Sequence, residues 1–164
     1  MKTVFLIRHA KSSWDVPGRN DFDRTLNVKG LKDAPVMAKR LLERNLQIDF
    51  FLSSPAKRAK KTCELFMHEM RVDEKTIVLK PELYLAEPPV FYNVIKQIDA
   101  SISHAAVFSH NNGITDFVNQ LTHVRVDKMP TCSIFALNVY SNKWSDFEKA
   151  EKEFLFFDYP KRIS

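Results

Sequence analysis

The chain has 164 residues, 45% of them hydrophobic and 27% charged, which is typical of a globular protein and excludes a low-complexity or largely disordered chain. We expect a single domain, residues 1–164, because this length is enough to bury a substantial core. The formal net charge of +5 favours an anionic partner such as a phosphate group, a nucleic acid or an acidic membrane surface. No apolar stretch approaches the roughly 18 residues of a membrane span, and no signal peptide is visible, so we expect a cytoplasmic protein with no membrane partner.

Short apolar runs alternate with amphipathic patterns along the chain, and we interpret them as strands and helices. The predicted strands are Thr3–Ile7, Asp49–Ser53, Thr76–Leu79, Ala105–Ser109 and Ser133–Tyr140, with Lys143–Phe147 paired to the last as a hairpin and Phe154–Tyr159 as an edge strand. The predicted helices are one that ends near Asn45, then Ala56–Met70, Pro88–Ile98 and Gly113–Leu121. Because Pro35 has no N–H to donate, the first helix is expected to start near Asp33 or to bend there.

This alternation predicts a three-layer α/β/α sandwich, in which helices cover both faces of a mostly parallel sheet with an antiparallel edge. In such sheets the ligand crevice lies beyond the carboxyl ends of the strands. Three of the predicted strands end there on polar residues: Arg8-His9, Ser53-Ser54-Pro55 and Ser109-His110. We therefore expect these three strand ends to form one site.

Arg58 adds a second arginine to this edge, from the segment AKRAKK that begins the second helix. At about 100° per residue it lies about 40° from Thr62 on the core face, so its side chain should reach the strand ends. Lys57, Lys60 and Lys61 are expected to face water. A nucleic-acid-binding helix is the alternative for these lysines, but no aromatic residues interleave with them, and we expect no nucleic-acid partner.

Two arginines and two histidines at one sheet edge predict a site for a dianion, because the planar guanidinium fork grips phosphate oxygens. Nearby arginines also lower the pKa of a histidine and so favour its neutral form. A neutral imidazole has a free nitrogen that can attack phosphorus. No metal is expected, since HxH, HExxH and CxxC spacings are all missing from the sequence.

Three segments, taken in order, resemble the motifs of the histidine phosphatase superfamily. Residues 8–15, RHAKSSWD, are similar to its RHG/RHA signature, and residues 53–59 with Thr62 are similar to S-x-x-x-R-A-x-x-T. Residues 109–113, SHNNG, are similar to GHNPG, with Asn112 in place of proline. The resemblance runs from Lys2 to beyond Tyr159, looks most like the SixA-type phosphohistidine phosphatases, and implies a phosphoglycerate mutase-like fold for a single histidine phosphatase domain.

The resemblance also implies a role for each matching residue. His9 would be the nucleophile that becomes a phosphohistidine, while Arg8, Arg58 and His110 would bind the phosphoryl oxygens. The remaining candidates for substrate binding are Ser12, Asp15 and Asn111, with Asp15 standing where mutase-type members tend to have asparagine. No cofactor is implied, and the substrate would be a phosphorylated small molecule or a phosphohistidine protein.

The proton donor of the family has no clear counterpart in this sequence. It would fall near Leu85, and leucine cannot donate a proton. Glu87 could substitute for it, or could instead be a carboxylate favoured by the positive end of the helix that follows. The lack of a general acid favours substrates whose leaving group needs no proton from the enzyme, such as phosphohistidine. The alternatives are a broad small-molecule phosphatase and a non-catalytic protein that binds phosphate or nucleic acid.

Overall fold

The computed structural model describes residues 1–14 and 16–162, and within them six strands form one sheet. The strands are β1 (Lys2–Arg8), β2 (Phe50–Ser53), β3 (Val78–Leu79), β4 (His104–Ser109), β5 (Ile134–Val139) and β6 (Lys152–Asp158). Their order in the sheet is β3-β2-β4-β1-β5-β6. The first four strands are parallel to one another. β5 pairs antiparallel with β1 on one side and with β6 on the other. The predicted parallel sheet with an antiparallel edge is confirmed.

Four helices cover the two faces of this sheet in the part of the chain described. They are α1 (Val28–Glu43), α2 (Lys57–Glu69), α3 (Pro88–Lys96) and α4 (Gly113–Val118). The side chains of β1 alternate between two hydrophobic clusters, since Val4 and Leu6 pack with α3 and α4 while Phe5 and Ile7 pack with α1 and α2. The three-layer α/β/α arrangement follows from this alternation.

Across residues 1–14 and 16–162, each helix is too short or too polar to cross a bilayer.

The predicted strand at Lys143–Phe147 is wrong. Residues Trp144–Asp146 form a short 3-10 helix instead. Trp144 and Phe147 are both fully buried, and the indole N–H of Trp144 donates to the carbonyl of Ile102 at 2.8 Å. Residues three apart share a face in a helical turn but not in a strand. The turn therefore allows Trp144 and Phe147 to pack into the core together. On the side away from β1, β5 pairs with β6. This pairing confirms the edge strand predicted at Phe154–Tyr159, which begins earlier, at Lys152.

The first helix begins earlier than predicted. It starts at Val28, because the side chain of Asn27 caps it by accepting from the N–H of Gly30 at 2.9 Å. The helix continues through Pro35, so a start near Asp33 is wrong. Gly30 is needed here, since a Cβ at this position would lie 2.2 Å from the carbonyl oxygen of Lys11. The close approach fixes α1 against the loop that follows β1.

Candidate active site

The carboxyl ends of β1, β4 and β2 lie side by side at one edge of the sheet. Arg8 pairs in register with Ser109, and Ser53 pairs with Phe108. A cavity of about 330 Å³ opens above these ends. It is lined by six of the residues singled out in the sequence: Arg8, His9, Ser12, Arg58, His110 and Asn111.

His9 is held in one tautomer with its reactive nitrogen towards Arg58. Its Nδ1 lies 2.7 Å from the carbonyl oxygen of Ala10, which can only accept, so Nδ1 carries the hydrogen. The Nε–H of Arg58 donates to Nε2 of His9 at 3.3 Å, which requires a lone pair on Nε2. The ring is therefore neutral, and Nε2 is the atom available for attack.

Burial is the main reason that His9 is neutral. It lowers the pKa of His9 to about 3, with Arg58, Arg8 and Arg24 adding to the effect against the Ala10 hydrogen bond, which raises it. The sequence pointed to the arginines, which act in the expected direction but are secondary to desolvation. His110 lies beside His9, with ring centroids 5.2 Å apart, and burial together with His9 and Arg58 lowers its pKa to about 2.

Arg58 is buried, with 2% of its surface exposed. Each of the three guanidinium nitrogens donates a hydrogen bond. Besides the contact with His9, Nη1 donates to the backbone carbonyl of Asp21 at 2.5 Å and Nη2 donates to the Asp21 carboxylate at 2.8 Å. The side chain enters the site from the first turn of α2, which is where the helical spacing placed it. Its charge is thus oriented in advance towards the cavity.

Two buried nitrogens of the site have no hydrogen-bond partner among the residues that the structure describes. Nη1 of Arg8 donates to the carbonyl of Met129 at 2.8 Å, and Nε2 of His110 lies 2.8 Å from the Ser54 hydroxyl. Nε of Arg8 and Nδ1 of His110 make no hydrogen bond, although both are buried. Buried polar atoms are rarely unpartnered. A phosphoryl oxygen would accept from Nε of Arg8, and also from Nδ1 of His110 in the tautomer that carries a hydrogen there.

Sequence reasoning missed a second group of site residues, centred on Asp21. Its carboxylate accepts from the Tyr84 hydroxyl at 2.5 Å and from Nη2 of Arg24 at 3.0 Å, in addition to Arg58. Burial acts to raise the pKa of Asp21, but the hydrogen bonds from Tyr84, Arg58 and Arg24 outweigh it and hold the pKa well below its usual range. The one available signal was the i, i+3 spacing of Asp21 and Arg24, which is common in exposed turns and therefore weak.

The mouth of the cavity carries large apolar side chains. Trp14 is 78% exposed, and the guanidinium carbon of Arg24 lies 3.5 Å from the centroid of its ring. Leu85 is 52% exposed and also lines the cavity. The charged floor of the site is thus bordered by surfaces that cannot donate a proton.

Asp15 and Glu87 are the two remaining candidates from the sequence. Asp15 lies outside the described residues. Glu87 is exposed, does not line the cavity, and is the N-cap residue of α3 without a side-chain capping hydrogen bond. Among the described residues no group of three or more histidine, cysteine, aspartate or glutamate side chains could hold a metal ion.

The architecture and the placement of this site define the phosphoglycerate mutase-like class of α/β proteins. Proteins of similar fold include SixA proteins. A protein assigned as the phosphohistidine phosphatase SixA of Agrobacterium tumefaciens has a TM-score of 0.80 at 24% identity, covering 97% of this chain and 98% of its own. The protein histidine phosphatase SixA complexed with tungstate has a TM-score of 0.81 at 20% identity, covering 96% of this chain and 97% of its own.

Sequence comparison agrees with the fold. The model of the histidine phosphatase superfamily (branch 1) matches residues 4–84. An uncharacterised chloroplastic protein of Arabidopsis thaliana is 28% identical in an alignment 157 residues long, which covers 88% of this chain and 70% of the plant protein. Over residues 4–84 the chain is similar to the histidine phosphatase superfamily, and its fold is that of the SixA structures. The resemblance to this superfamily and the phosphoglycerate mutase-like fold expected from the motifs are confirmed.

Proposed function

We propose that this protein is a metal-independent phosphatase that works through a covalent phosphohistidine at His9 and acts on phosphohistidine or a phosphoester with a good leaving group. The observation that carries the proposal is the state of His9: a neutral ring with its hydrogen fixed on Nδ1 and its Nε2 lone pair between the arginines of an anion site.

In the first step Nε2 of His9 attacks the phosphorus atom of the bound substrate. A bond forms between Nε2 and phosphorus, the bond from phosphorus to the leaving group breaks, and its electron pair stays on the leaving group. Arg58 and Arg8 stabilise the charge on the phosphoryl oxygens during the transfer. The hydrogen bond from Nδ1 to Ala10 keeps the ring in place as it gains positive charge.

In the second step a water molecule attacks the phosphorus of phospho-His9. The bond between phosphorus and Nε2 breaks, its electron pair returns to Nε2, and the water proton passes to solvent. Phosphate leaves and the neutral imidazole is restored, so no metal or cofactor takes part in either step.

The substrate preference follows from the groups at the cavity mouth. Among the described lining residues, Asp21 is the sole carboxyl group, and it is held ionised by its three hydrogen-bond donors. An alkoxide leaving group needs a proton from the enzyme. The imidazole of phosphohistidine can take its proton from solvent at the other ring nitrogen and then leave as a neutral ring.

The test of the proposed function is hydrolysis of an aryl phosphate in EDTA by wild type, His9→Ala and His68→Ala. His68 is an exposed histidine on α2, outside the cavity, and serves as the matched control. We expect wild type and His68→Ala to be active in EDTA and His9→Ala to lose at least about a thousandfold in kcat. An alkaline-quenched radiolabelled phosphoenzyme should appear in the two active proteins alone. Full activity of His9→Ala, or loss of wild-type activity in EDTA, would refute the proposal.

The leaving-group preference has its own test. We expect kcat/KM for a phosphohistidine peptide to exceed that for 3-phosphoglycerate by at least about a hundredfold, because proton donation to a leaving group contributes about that much. A clear preference for the glycerate would show that an acid does act in the site and would favour a broad small-molecule phosphatase.

A further inference from the structure

A second, larger concave surface lies beside the active site. It has a volume of about 460 Å³, compared with about 330 Å³ for the active-site cavity. Lys57, Lys60 and Lys61 of α2 form one side, and Leu26 and Leu31 form the other. We call these five residues the lysine groove. Their combination of an apolar side and a cationic side differs from an ordinary solvated helix face.

The lysines of the groove carry charge that the protein itself hardly neutralises. Lys57 lies 3.7 Å from Asp23, and its side chain is 59% exposed. In the described part of the chain, Lys60 and Lys61 have no carboxylate within ion-pair distance. Glu64 is the one acidic residue among those lining the groove, against three lysines. The surface is therefore complementary to a negatively charged partner.

The apolar side of the groove is open to a partner as well. Leu31 is 45% exposed, although it projects from a helix whose opposite face is fully buried. Leu26 lies at the base of the groove with 7% exposed. Nucleic acids are bound through aromatic stacking and phosphate contacts, and no aromatic residue lines this groove. An acidic polypeptide with an apolar side chain fits both sides better.

The groove is continuous with the active site through two short connections. Lys57 faces the groove, while its chain neighbour Arg58 points into the catalytic cavity. On the other side, Leu26 of the groove pairs as an antiparallel bridge with Ser12, which lines the cavity. A partner in the groove thus contacts the segments that also carry Arg58 and Ser12 of the active-site cavity.

We propose that the lysine groove is a docking site for an acidic, leucine-containing segment of the protein that carries the phosphohistidine. This inference rests on the proposed function, because it assigns a protein substrate to the same active site. The docked segment adds affinity for a macromolecular substrate that the small cavity alone does not supply, and charge complementarity mainly accelerates its association.

The experiment uses two phosphohistidine peptides of equal length and an aryl phosphate. One peptide carries glutamates and a leucine beside the phosphohistidine, and the other has glutamine at each glutamate position. The enzymes are wild type, Lys60→Glu/Lys61→Glu, and Lys39→Glu/Lys75→Glu. The last is the matched control, since Lys39 and Lys75 are exposed lysines outside the groove and the cavity and give the same change in net charge.

We expect wild type to prefer the acidic peptide by about tenfold in kcat/KM at low salt and to lose most of that preference near 0.5 M salt, where the screening length is only a few ångströms. The ratio should fall to about one or below in Lys60→Glu/Lys61→Glu and stay near the wild-type ratio in the control. Thermal unfolding of all three proteins checks that the substitutions leave the fold intact.

The outcomes separate the two proposals. Turnover of aryl phosphate through His9 with equal rates on both peptides overturns the docking site and leaves the proposed function standing. No turnover of any substrate overturns both. A single-stranded DNA 20-mer that binds wild type more tightly than the acidic peptide, and is lost in Lys60→Glu/Lys61→Glu, overturns the docking proposal in favour of a nucleic-acid surface.

Discussion

At the scale of single residues, Asp21 fixes the orientation of Arg58 in the proposed phosphoryl site. Nη1 of Arg58 donates to the backbone carbonyl of Asp21, and Nη2 donates to its carboxylate. Nε of the same guanidinium donates to His9. A fixed guanidinium loses little conformational freedom on binding. Asp21 also accepts from Tyr84, so one carboxylate connects the arginine of α2 with the segment that precedes α3.

Replacing Asp21 by asparagine should weaken the ion pair that orients Arg58. We expect kcat/KM for an aryl phosphate to fall about tenfold in Asp21→Asn, mainly through kcat, because a misplaced donor loses transition-state stabilisation. Asp23→Asn is the control, since Asp23 lies on the same 3-10 helix and pairs with Lys57 instead of Arg58. Similar losses in both variants would mean that Asp21 acts only by holding the loop.

The neutral His9 also predicts an unusual pH profile. Because burial lowers the pKa of His9 to about 3, the proposed nucleophile stays unprotonated well below the usual histidine pKa near 6.5. We expect kcat/KM, corrected for the second ionisation of the substrate, to stay constant between pH 7.5 and about 5. Steady-state rates across this range measure it. A fall with an apparent pKa near 6.5 in the corrected profile would contradict a buried neutral nucleophile.

At the scale of secondary-structure elements, α4 lies unusually close to the chain that borders the cavity. A Cβ on Gly113 would sit 1.6 Å from the carbonyl oxygen of Ala86 and 3.3 Å from the Cα of Glu87. These atoms are backbone, so neither can move aside without shifting a whole segment. Gly113 therefore sets the distance between His110, just before α4, and Leu85 at the cavity mouth.

Gly113→Ala should force these two segments apart. We expect a loss of about 3 kcal/mol in the free energy of unfolding, at the upper end of typical overpacking effects, together with reduced kcat. Gly18→Ala is the comparison, because its Cβ would meet no atom within 4 Å and it carries only the strain of its φ of +80°, about 1 kcal/mol. Urea unfolding measures both variants, and equal losses would contradict the close contact at Ala86.

The sequence predicted well those parts of the site that lie on regular elements. Arg8-His9 and Ser109-His110 follow apolar runs, and strand ends of a parallel sheet must meet at one edge. Arg58 was predicted from helical spacing alone. Asp21 and Tyr84 were missed because their contact joins irregular segments far apart in the chain, where no periodicity applies.

At the scale of the whole molecule, the buried histidines link stability to pH. Both titrate near pH 6.5 when unfolded, but in the folded protein burial lowers the pKa of His9 to about 3 and that of His110 to about 2. Between these values the unfolded chain binds more protons. The stabilising contribution is therefore complete above about pH 6.5 and is lost as the pH falls, at about 1.4 kcal/mol per pH unit for each histidine.

Replacing one of these histidines should flatten this dependence. We expect the free energy of unfolding of His9→Asn to change less steeply between pH 6 and 4 than that of wild type, by about 1.4 kcal/mol per pH unit. Urea unfolding at several pH values gives the two slopes, and His68→Asn, at an exposed position, should keep the wild-type slope. Equal slopes for wild type and His9→Asn would contradict the burial of a neutral ring.

The sheet order also determines when the site can exist during folding. β4 comes after β1 and β2 in the chain but lies between them, and its register with β1 joins residues about a hundred positions apart. A growing polypeptide that has not yet made β4 has neither His110 nor the strand that aligns Arg8 with α2. Binding of an anion at this site is thus expected to arise late, when β4 enters the sheet. The rate at which anion binding recovers during refolding would therefore report completion of the native topology.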